Sequence, residues 1–461
     1  MAILAAMAVP HPPLIVPEVG HGAEQQIAPT IAAYQRVMER AAALRPDTVV
    51  ILSPHTVMYA DYFHVSPGAG ASGSFAAFRA PQVQVATAYD SGFCEALVKR
   101  CREEDFPAGT LGEKNAELDH GTMIPLYFLQ QHLRGVPVVR IGLSGLPARA
   151  HYRLGQHIAA VAEELGRRVL IIASGDLSHK LKADGPYGFT SEGPVFDARM
   201  QAVFRSGDFL RLLLTPVDLA SGAAECGLRS FWIMAGTLDG RQVKSELLSY
   251  QGTFGVGYGV GWFLPGGLDD SRDIGVQLAR CEAEAMRAIR DREDSLVKLA
   301  RLSLETFVRT HQLAVIPEDM RKSFADKRRG AFVSLKKDGQ LRGCIGTIQP
   351  VRQDLAEEIL YNAVSAGTRD PRFSPVTPEE LAQLVYDVDV LTEPEPIDSP
   401  DQLDVKRYGV IVQCGDRRGL LLPDLPGVDS VEEQISIARR KGSIGEQEPY
   451  QLWRFEVERH V

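Results

Sequence analysis

The sequence lacks several features that would place it in a special class of protein. Its six cysteines include no C-x-x-C pair, so neither a structural zinc site nor a disulfide framework is expected. No apolar run reaches the length of about 18 residues that a membrane-spanning helix needs. The stretch Met1–Leu14 has no basic segment and does not read as a signal peptide. We therefore expect a soluble cytoplasmic protein.

An excess of basic residues is also absent. The chain has 50 Lys and Arg against 59 Asp and Glu, a net charge of -9. Residues 1–270 contain 22 basic and 26 acidic residues, and residues 271–461 contain 28 and 33. Neither part has the positive charge of a nucleic-acid-binding domain, so a nucleic-acid partner is not expected.

Length and composition predict an ordinary globular protein of more than one domain. The chain has 461 residues, of which 45% are hydrophobic and 24% charged, and domains average roughly 150 residues. Nine of the eleven histidines lie between His11 and His179, and residues 264–271 are rich in Gly, Pro and Asp, as linkers are. We therefore predict a first domain over residues 1–268 and a second over 280–461.

Apolar and amphipathic segments alternate in the first domain. Apolar runs at 2–9, 48–52, 136–143 and 168–174 are separated by amphipathic stretches at 23–44, 91–104, 120–134 and 148–167. This alternation predicts an α/β domain with a buried sheet. A further helix is expected over 225–238, followed by a hairpin over 247–263. The second domain mixes helical patterns (294–311 and 355–366) with short strands, including a half-exposed strand at 385–391, which predicts an α+β fold.

Histidines follow several of the predicted strands. His11, His55 and His179 come just after the strands that end near Val9, Leu52 and Ser174, and His120 opens a helix. The carboxyl ends of strands are where α/β folds place their sites. One such histidine is usually just a satisfied polar residue, but four histidines, three of them at strand ends, indicate a metal or catalytic site.

Two imidazoles need a carboxylate or a thiolate to complete a typical transition-metal site. Glu225 and Cys226, at the start of the late helix, can supply either one. The ordinary interpretations are that Glu225 complements the helix dipole and that Cys226 is a small core residue. Asp176, in Gly175-Asp176-Leu177-Ser178-His179, either caps a turn or orients a neighbouring imidazole.

Taken together, these motifs resemble a known superfamily. Residues 1 to about 265 resemble the class III extradiol dioxygenases of LigB-like fold, a superfamily that also contains the Memo proteins. The resemblance rests on Pro10-His11-Pro12, Ser53-Pro54-His55, Asp119-His120-Gly121, Gly175 to His179 and Glu225-Cys226-Gly227. It implies an α/β fold and a non-haem iron(II) centre that cleaves an aromatic ring beside two hydroxyl groups.

The resemblance also implies roles for individual residues. His11, His55 and Glu225 correspond to the iron(II) ligands, His179 to the acid/base histidine and His120 to a second active-site histidine. In Memo proteins the cysteine of the Cys-Gly pair lines the metal site, so Cys226 is the alternative third ligand. We predict Glu225, because a carboxylate suits iron(II) better than a thiolate does. Another divalent transition metal remains an alternative to iron.

The hexapeptide Leu341-Arg342-Gly343-Cys344-Ile345-Gly346 is the densest motif of the second domain. Gly343 and Gly346 allow a close approach of the backbone, and Arg342 offers a planar donor fork to an anion. The alternative is a tight bend with a buried Cys344. Cys344 is not expected to bind zinc, since no second Cys or His lies nearby in sequence.

With Asp370-Pro371-Arg372-Phe373 and Arg418 to Pro423, this hexapeptide makes residues 280–461 resemble the AMMECR-one domain, protein A of the AmmeMemoRadiSam system. That resemblance implies an α+β fold and a radical SAM protein as a partner. Fusion of the two domains keeps both at high effective concentration. We therefore predict an iron-dependent dioxygenase of an aromatic diol, and the alternative is a metal-binding adaptor without turnover.

Overall fold

The computed structural model describes residues 2–324, 327–425 and 427–461. The chain divides into two compact units, residues 1–281 and 282–461, and the boundary falls inside one helix, Ile274–Arg292. None of the helices in the described ranges combines the length and the apolar character needed to cross a bilayer.

The first unit is built around one mixed sheet. The strands of this unit are β1 (Ile3–Val9), β2 (Thr48–Ser53), β3 (Phe63–His64), β4 (Gly70–Phe75), β5 (Ala80–Ala88), β6 (Ala108–Gly109), β7 (Val138–Gly142), β8 (Val169–Ser174), β9 (Arg241–Gln251) and β10 (Tyr258–Leu268). The order in the sheet is β7-β2-β8-β1-β10-β9, where β7, β2, β8 and β1 are parallel and β10 pairs antiparallel with both β1 and β9.

Helices cover both faces of this sheet, so its parallel strands are mainly apolar, with buried Arg140 of β7 as a charged exception. Residues 49–52 of β2 and 169–174 of β8 are fully buried, as strands between two helical layers must be. The helices are α1 (Pro17–Gly20), α2 (Ala28–Ala43), α3 (Ser91–Glu103), α4 (His120–Leu129), α5 (Ala148–Glu164), α6 (Glu192–Ser206), α7 (Phe209–Leu213), α8 (Val217–Ala223), α9 (Leu228–Gly236) and α10 (Ile274–Arg292). The predicted α/β architecture is confirmed.

Two local predictions for the first unit are wrong. The segment from 264 to 271 is not a linker, because Leu264 and Pro265 pair with β9 and the strand continues to Leu268, with the register shifting across Gly266-Gly267. The late helix begins at Leu228 rather than at Glu225. Glu225 and Cys226 therefore lie in the turn before α9, so their side chains do not follow the spacing of a helix.

The second unit consists of antiparallel strands and helices. The elements are α11 (Ser295–Thr310), α12 (Glu318–Phe324), α13 (Leu355–Thr368) and α14 (Val431–Lys441), with β11 (Ala331–Lys337), β12 (Gln340–Gly346), β13 (Leu384–Leu391), β14 (Glu395–Ile397), β15 (Gly409–Cys414), β16 (Arg417–Leu421), β17 (Gln451–Phe455) and β18 (Val457–His460). The strands form two antiparallel sheets, in the orders β12-β11-β13-β18 and β14-β17-β15-β16. Helices α11 and α13 pack on the first sheet, and α14 packs on the second. This is the expected α+β fold.

Strand β13 is buried on both faces, although its alternating acidic residues predict a half-exposed strand. Asp387 and Asp389 are 7% and 5% exposed. Each carboxylate has a cationic partner, Lys336 at 2.5 Å for Asp387 and Arg459 at 2.9 Å for Asp389. Pairing is what allows a carboxylate to be buried, and a periodicity pattern does not reveal such partners.

Candidate metal centre

The ends of β1 and β2 bring two predicted ligands together. Both strands run parallel to β8, which lies between them, so all three end at the same edge of the sheet. His11 and His55 each lie two residues beyond the last residue of their strand. Their Nε2 atoms are 3.0 Å apart. His11 is 2% exposed, whereas His55 is exposed, so the pair opens to solvent on the His55 side.

Ser174, the last residue of β8, fixes the tautomer of His11. The Ser174 hydroxyl donates a 2.6 Å hydrogen bond to the carbonyl oxygen of Gly121. Its oxygen lies 2.9 Å from Nδ1 of His11, and because its own proton is already used, it must accept from Nδ1. Nε2 of His11 is then left without a proton and can bind a metal.

Cys226 is brought to the same point by a close contact between two glycines. A Cβ atom on Gly175 would lie 2.1 Å from Cα of Gly227, so the turn before α9 rests directly on the end of β8. Sγ of Cys226 is 3.5 Å from Nε2 of His11 and accepts a hydrogen bond from the Asp176 amide at 3.2 Å. One ligand atom each from His11, His55 and Cys226 lies within 4.8 Å of the other two.

Glu225, the predicted third ligand, is not part of this group. Its carboxylate accepts a 2.6 Å hydrogen bond from the amide of Leu228, at the first turn of α9. Burial raises the pKa of Glu225 to about 7, and hydrogen bonds from Leu228 and Gly227 oppose the shift. Adjacent side chains in a turn diverge, and here Glu225 satisfies the helix end while Cys226 faces the histidines. The geometry favours the alternative ligand, Cys226.

The three donors fit a divalent transition metal. The Nε2 atoms of His11 and His55 are 3.0 Å apart and Sγ of Cys226 is 3.5 Å from Nε2 of His11, and imidazole nitrogen and thiolate sulfur are both common ligands of such metals. Burial lowers the pKa of His11 and of His55, so both imidazoles are neutral near pH 7. Burial raises the pKa of the Cys226 thiol, so metal binding there must release a proton.

His120, the predicted second active-site histidine, lies beside this cluster, and His179, the predicted acid/base histidine, interacts electrostatically with His11 and His55. The ring of His120 stacks on that of His55 at 4.2 Å and lies 5.4 Å from the ring of His11. Burial and the neighbouring His55 lower the pKa of His120 to about 4. Burial also lowers the pKa of His179, and its Nδ1 is buried without a hydrogen-bond partner in the described part of the chain. Both rings can therefore accept a proton from a bound substrate.

Asp176 does not orient an imidazole ring. Its Oδ1 accepts a 2.8 Å hydrogen bond from the backbone amide of His11, and its own amide donates to Cys226. Burial raises the pKa of Asp176 to about 7, with a further contribution from Asp197. Asp176 thus holds the backbone of both ligand segments, while the ring of His11 is oriented by Ser174.

In the second unit, the hexapeptide 341–346 is held by contacts with other residues of the protein. Arg342 binds Glu380 through two hydrogen bonds of 2.9 Å, so its donor fork is occupied by a residue of the protein rather than left for a ligand anion. A Cβ on Gly343 would lie 2.2 Å from the carbonyl oxygen of Ala366, and one on Gly346 would lie 2.2 Å from the Phe332 ring. Both glycines are therefore required for packing.

Cys344 is half-buried on β12, the edge strand of the sheet β12-β11-β13-β18. Its amide donates to Asp370 at 2.9 Å, and its thiol accepts a hydrogen bond from the Ser334 hydroxyl at 3.2 Å. Arg372 donates to the Cys344 carbonyl oxygen at 3.3 Å. The loop around Asp370 and Arg372 thus binds the free edge of β12 in place of another strand.

Two functional residues have no recognisable signal in the sequence. Ser174 orients His11, and Ser53 donates a 2.6 Å hydrogen bond to Asp119, the capping residue that places His120 at the start of α4. Both serines end strands, but their roles depend on which strands are neighbours in the sheet. Strand order is not encoded locally.

Comparison with known proteins identifies the family of each part of the chain. Residues 5–261 match the family model described as the catalytic LigB subunit of aromatic ring-opening dioxygenase, and residues 297–460 match the AMMECR1 model. The chain belongs to the LigB family and carries an AMMECR1 domain after the LigB domain. A Clostridium acetobutylicum protein is 40% identical over 460 residues, covering 98% of each chain.

Other similar proteins match one part of the chain. A Thermotoga maritima protein is 49% identical over 170 residues, which are 36% of this chain and 98% of that protein. A Pyrococcus horikoshii crystal structure shares 32% identity over 37% of this chain and 90% of its own, with a TM-score of 0.34. An Escherichia coli K12 structure shares 17% identity over 57% and 99%, with a TM-score of 0.37.

Proposed function

We propose that the first unit is an iron(II)-dependent oxidoreductase that opens the ring of an aromatic diol, with the metal held by His11, His55 and Cys226. The observation that carries this proposal is the convergence of two Nε2 atoms and one Sγ atom within 4.8 Å in a chain of the LigB family. Iron(II), when bound, supplies open coordination positions and redox chemistry.

The surrounding residues supply the proton transfers of such a reaction. Neutral His179 and His120 accept protons from the two hydroxyl groups of the diol and return them to the product. Overall, one carbon–carbon bond beside the diol breaks and both atoms of O₂ enter the product, so no further reductant is consumed. The exposed side of His55 gives the substrate its path to the cluster.

The second candidate function is a metal-binding adaptor without turnover. The observation that favours it is Cys226, because two imidazoles and a thiolate also suit zinc or copper. An adaptor needs no proton acceptor beside the metal, whereas the ring of His120 stacks on that of His55, and His179 is close enough to His55 to interact with it electrostatically. For that reason we place the enzyme first.

For the second unit we propose a role in the same process, with a radical SAM protein as partner. A relative that matches 98% of the chain also carries both parts in one polypeptide, and fusion gives two modules a high effective concentration. Co-purification of the tagged full chain with a candidate radical SAM enzyme tests this proposal. Recovery of the chain alone, under conditions that preserve the iron–sulfur cluster of the enzyme, contradicts it.

The decisive experiment is anaerobic purification followed by metal analysis and a screen of catechols under oxygen. We expect one iron per chain and oxygen uptake that depends on the diol. His11→Ala and His55→Ala should each remove the metal, because each supplies one nitrogen ligand. Full metal occupancy in both variants would contradict the site, and bound iron without oxygen uptake for any diol would favour the adaptor.

A further inference from the structure

A cavity of about 550 Å³ opens between the two sheets of the second unit. It is lined by the two connections that pass from one sheet to the other, β13 to β14 and β17 to β18. These connections are tied together, because the Thr392 amide donates to the Glu456 carbonyl oxygen at 3.0 Å and the Glu456 amide donates to the Thr392 hydroxyl at 2.8 Å. The volume lies within the range of about 300–1,000 Å³ that is typical of small-molecule sites.

Four arginines line this cavity, and two of them are paired with carboxylates. Arg407 pairs with Glu456 at 2.7 Å, and Arg454 pairs with Glu395 at 3.2 Å. Both guanidinium groups also lie near the ring of Tyr408, at 4.9 Å and 4.5 Å from its centroid. These contacts hold the two side chains in place, and within each pair the positive charge is balanced by a negative one.

The other two arginines, Arg328 and Arg329, are not neutralised in this way. The Arg328 guanidinium has no ion pair or hydrogen bond with any residue that the structure describes, and Arg329 has only Glu458, at 4.0 Å. Their backbone is nevertheless anchored, because the carbonyl oxygens on either side of the pair accept hydrogen bonds from the amides of Leu355 and Leu391. Two neighbouring positive groups thus border the cavity with their donors available to a ligand.

The charges at this cavity indicate the chemistry of that ligand. A phosphate monoester carries a charge of about −1.5 to −2 at pH 7 and three acceptor oxygens, which matches two guanidinium groups and their forks of donors. Glu393 lines the same cavity, is exposed, and has no ion-pair partner in the described ranges. Its carboxylate repels a bare anion but accepts hydrogen bonds from hydroxyl groups. The combination favours a phosphate ester with free hydroxyl groups over inorganic phosphate.

A second cavity, of about 390 Å³, adjoins the first and shares Arg328 and Arg329 with it. Its lining includes the apolar side chains of Ile348, Pro350 and Pro394. A ligand whose phosphate lies at the two arginines can therefore extend an apolar part into this second space. We call the two adjoining cavities the arginine cleft.

We propose that the arginine cleft binds a phosphate monoester that carries free hydroxyl groups, as nucleotides and sugar phosphates do. Arg328 and Arg329 bind the phosphate, Glu393 accepts hydrogen bonds from the hydroxyl groups, and the second cavity takes the base when the ligand is a nucleotide. The site belongs to the second unit and does not depend on the function proposed for the first.

The test is calorimetric titration of the full chain with AMP, ribose 5-phosphate, adenosine and inorganic phosphate. Salt at about 0.15 M screens the attraction between exposed charges that are far apart. We expect AMP to bind about tenfold more tightly than adenosine, which lacks the phosphate, and than inorganic phosphate, which lacks the hydroxyl groups. Tighter binding of AMP than of ribose 5-phosphate identifies a nucleotide as the ligand, and equal binding identifies a sugar phosphate.

Four variants test the assigned roles. Arg328→Ala and Arg329→Ala should each weaken AMP binding about tenfold, because each removes one charged donor group. Both residues are exposed, so thermal unfolding should be unchanged. Glu393→Gln should reduce the preference for AMP over inorganic phosphate. Lys406→Ala is the matched control and should bind AMP like the wild type, because it removes an exposed positive charge next to Arg407 that lines neither cavity.

Three results overturn the inference. The first is the absence of binding by both AMP and ribose 5-phosphate. The second is inorganic phosphate that binds as tightly as the esters, which would show an anion site without the proposed selectivity. The third is a loss of AMP affinity in Lys406→Ala as large as in the Arg328→Ala and Arg329→Ala variants, which would show attraction by surface charge alone.

Discussion

The hydroxyl of Ser174 lies 2.9 Å from Nδ1 of His11 and determines which nitrogen of that ring is free. Ser174→Ala removes this acceptor, and His11 can then carry its proton on Nε2, where the metal would bind. Loss of such a supporting hydrogen bond costs about 10–100-fold in metal affinity. Competition with a chelator measures the loss. Ser230→Ala is the matched control, because Ser230 is equally buried and its hydroxyl has no partner in the described residues.

The choice between Cys226 and Glu225 is tested by paired variants loaded with iron under nitrogen. Cys226→Ala should lose most of the metal, since Sγ is the third donor of the cluster. Glu225→Ala should keep the metal but destabilise the start of α9 by about 1 kcal/mol, as the loss of a capping side chain does. Metal content and thermal unfolding report the two effects separately. Retention of iron by Cys226→Ala and its loss from Glu225→Ala would instead make Glu225 the ligand.

His179 should be needed for turnover and not for metal binding. His179→Gln keeps a polar side chain of similar size but removes the basic nitrogen. We expect most of the metal to stay bound and oxygen uptake with catechol to fall by about 10²–10⁴-fold, the usual contribution of a general acid or base. Metal analysis and an oxygen electrode on the same sample separate the two roles. If the metal is lost as well, His179 is a ligand.

The pairing of Arg342 with Glu380 predicts a pH dependence in the second unit. Burial alone would raise the pKa of Glu380, but hydrogen bonds from Arg342, Thr377 and Lys337 outweigh it and lower the pKa to about 2. A carboxylate with a lowered pKa in the folded state contributes stability above its unfolded pKa of about 4.5 and loses it as the pH falls towards 2. The protection of β12 against hydrogen exchange should therefore decrease as the stability contributed by the Glu380 carboxylate is lost at low pH.

Exchange in the full chain is compared between the wild type and Glu380→Gln at each pH. We expect β12 to exchange faster in the variant at pH 7, and the difference between the two proteins to shrink between pH 4.5 and pH 2. Exposed Glu393→Gln serves as the control and should match the wild type throughout. A difference that stays constant over this range would show that the Glu380 charge contributes nothing.

The sequence predicts the architecture better than the details of individual segments. The apolar runs locate β1, β2, β7 and β8 to within two residues, because strands buried on both faces consist mainly of apolar residues. Pattern reasoning fails where a partner elsewhere in the chain changes the outcome. Asp387 and Asp389 are buried only because Lys336 and Arg459 neutralise them, and neither partner is adjacent in sequence.

The candidate site is predictable to the extent that it depends on strand ends. The placement of His11 and His55 is a consequence of parallel strands ending at one edge of the sheet. The third donor is harder to predict, because it depends on the conformation of a turn. In that turn Glu225 accepts a hydrogen bond from the first turn of α9, whereas Cys226 contacts His11. No periodicity distinguishes two neighbouring residues in a turn.

The contact between Gly175 and Gly227 also determines the order in which the site can be assembled. His11 emerges early during synthesis, but Cys226 follows 215 residues later and reaches the cluster only after its turn has docked on the end of β8. Bringing together residues so distant in sequence costs chain entropy that only the folded structure repays. The complete set of three donors is therefore present only in a folded first unit, so a metal that needs all three would bind tightly to native molecules and weakly to nascent or misfolded chains.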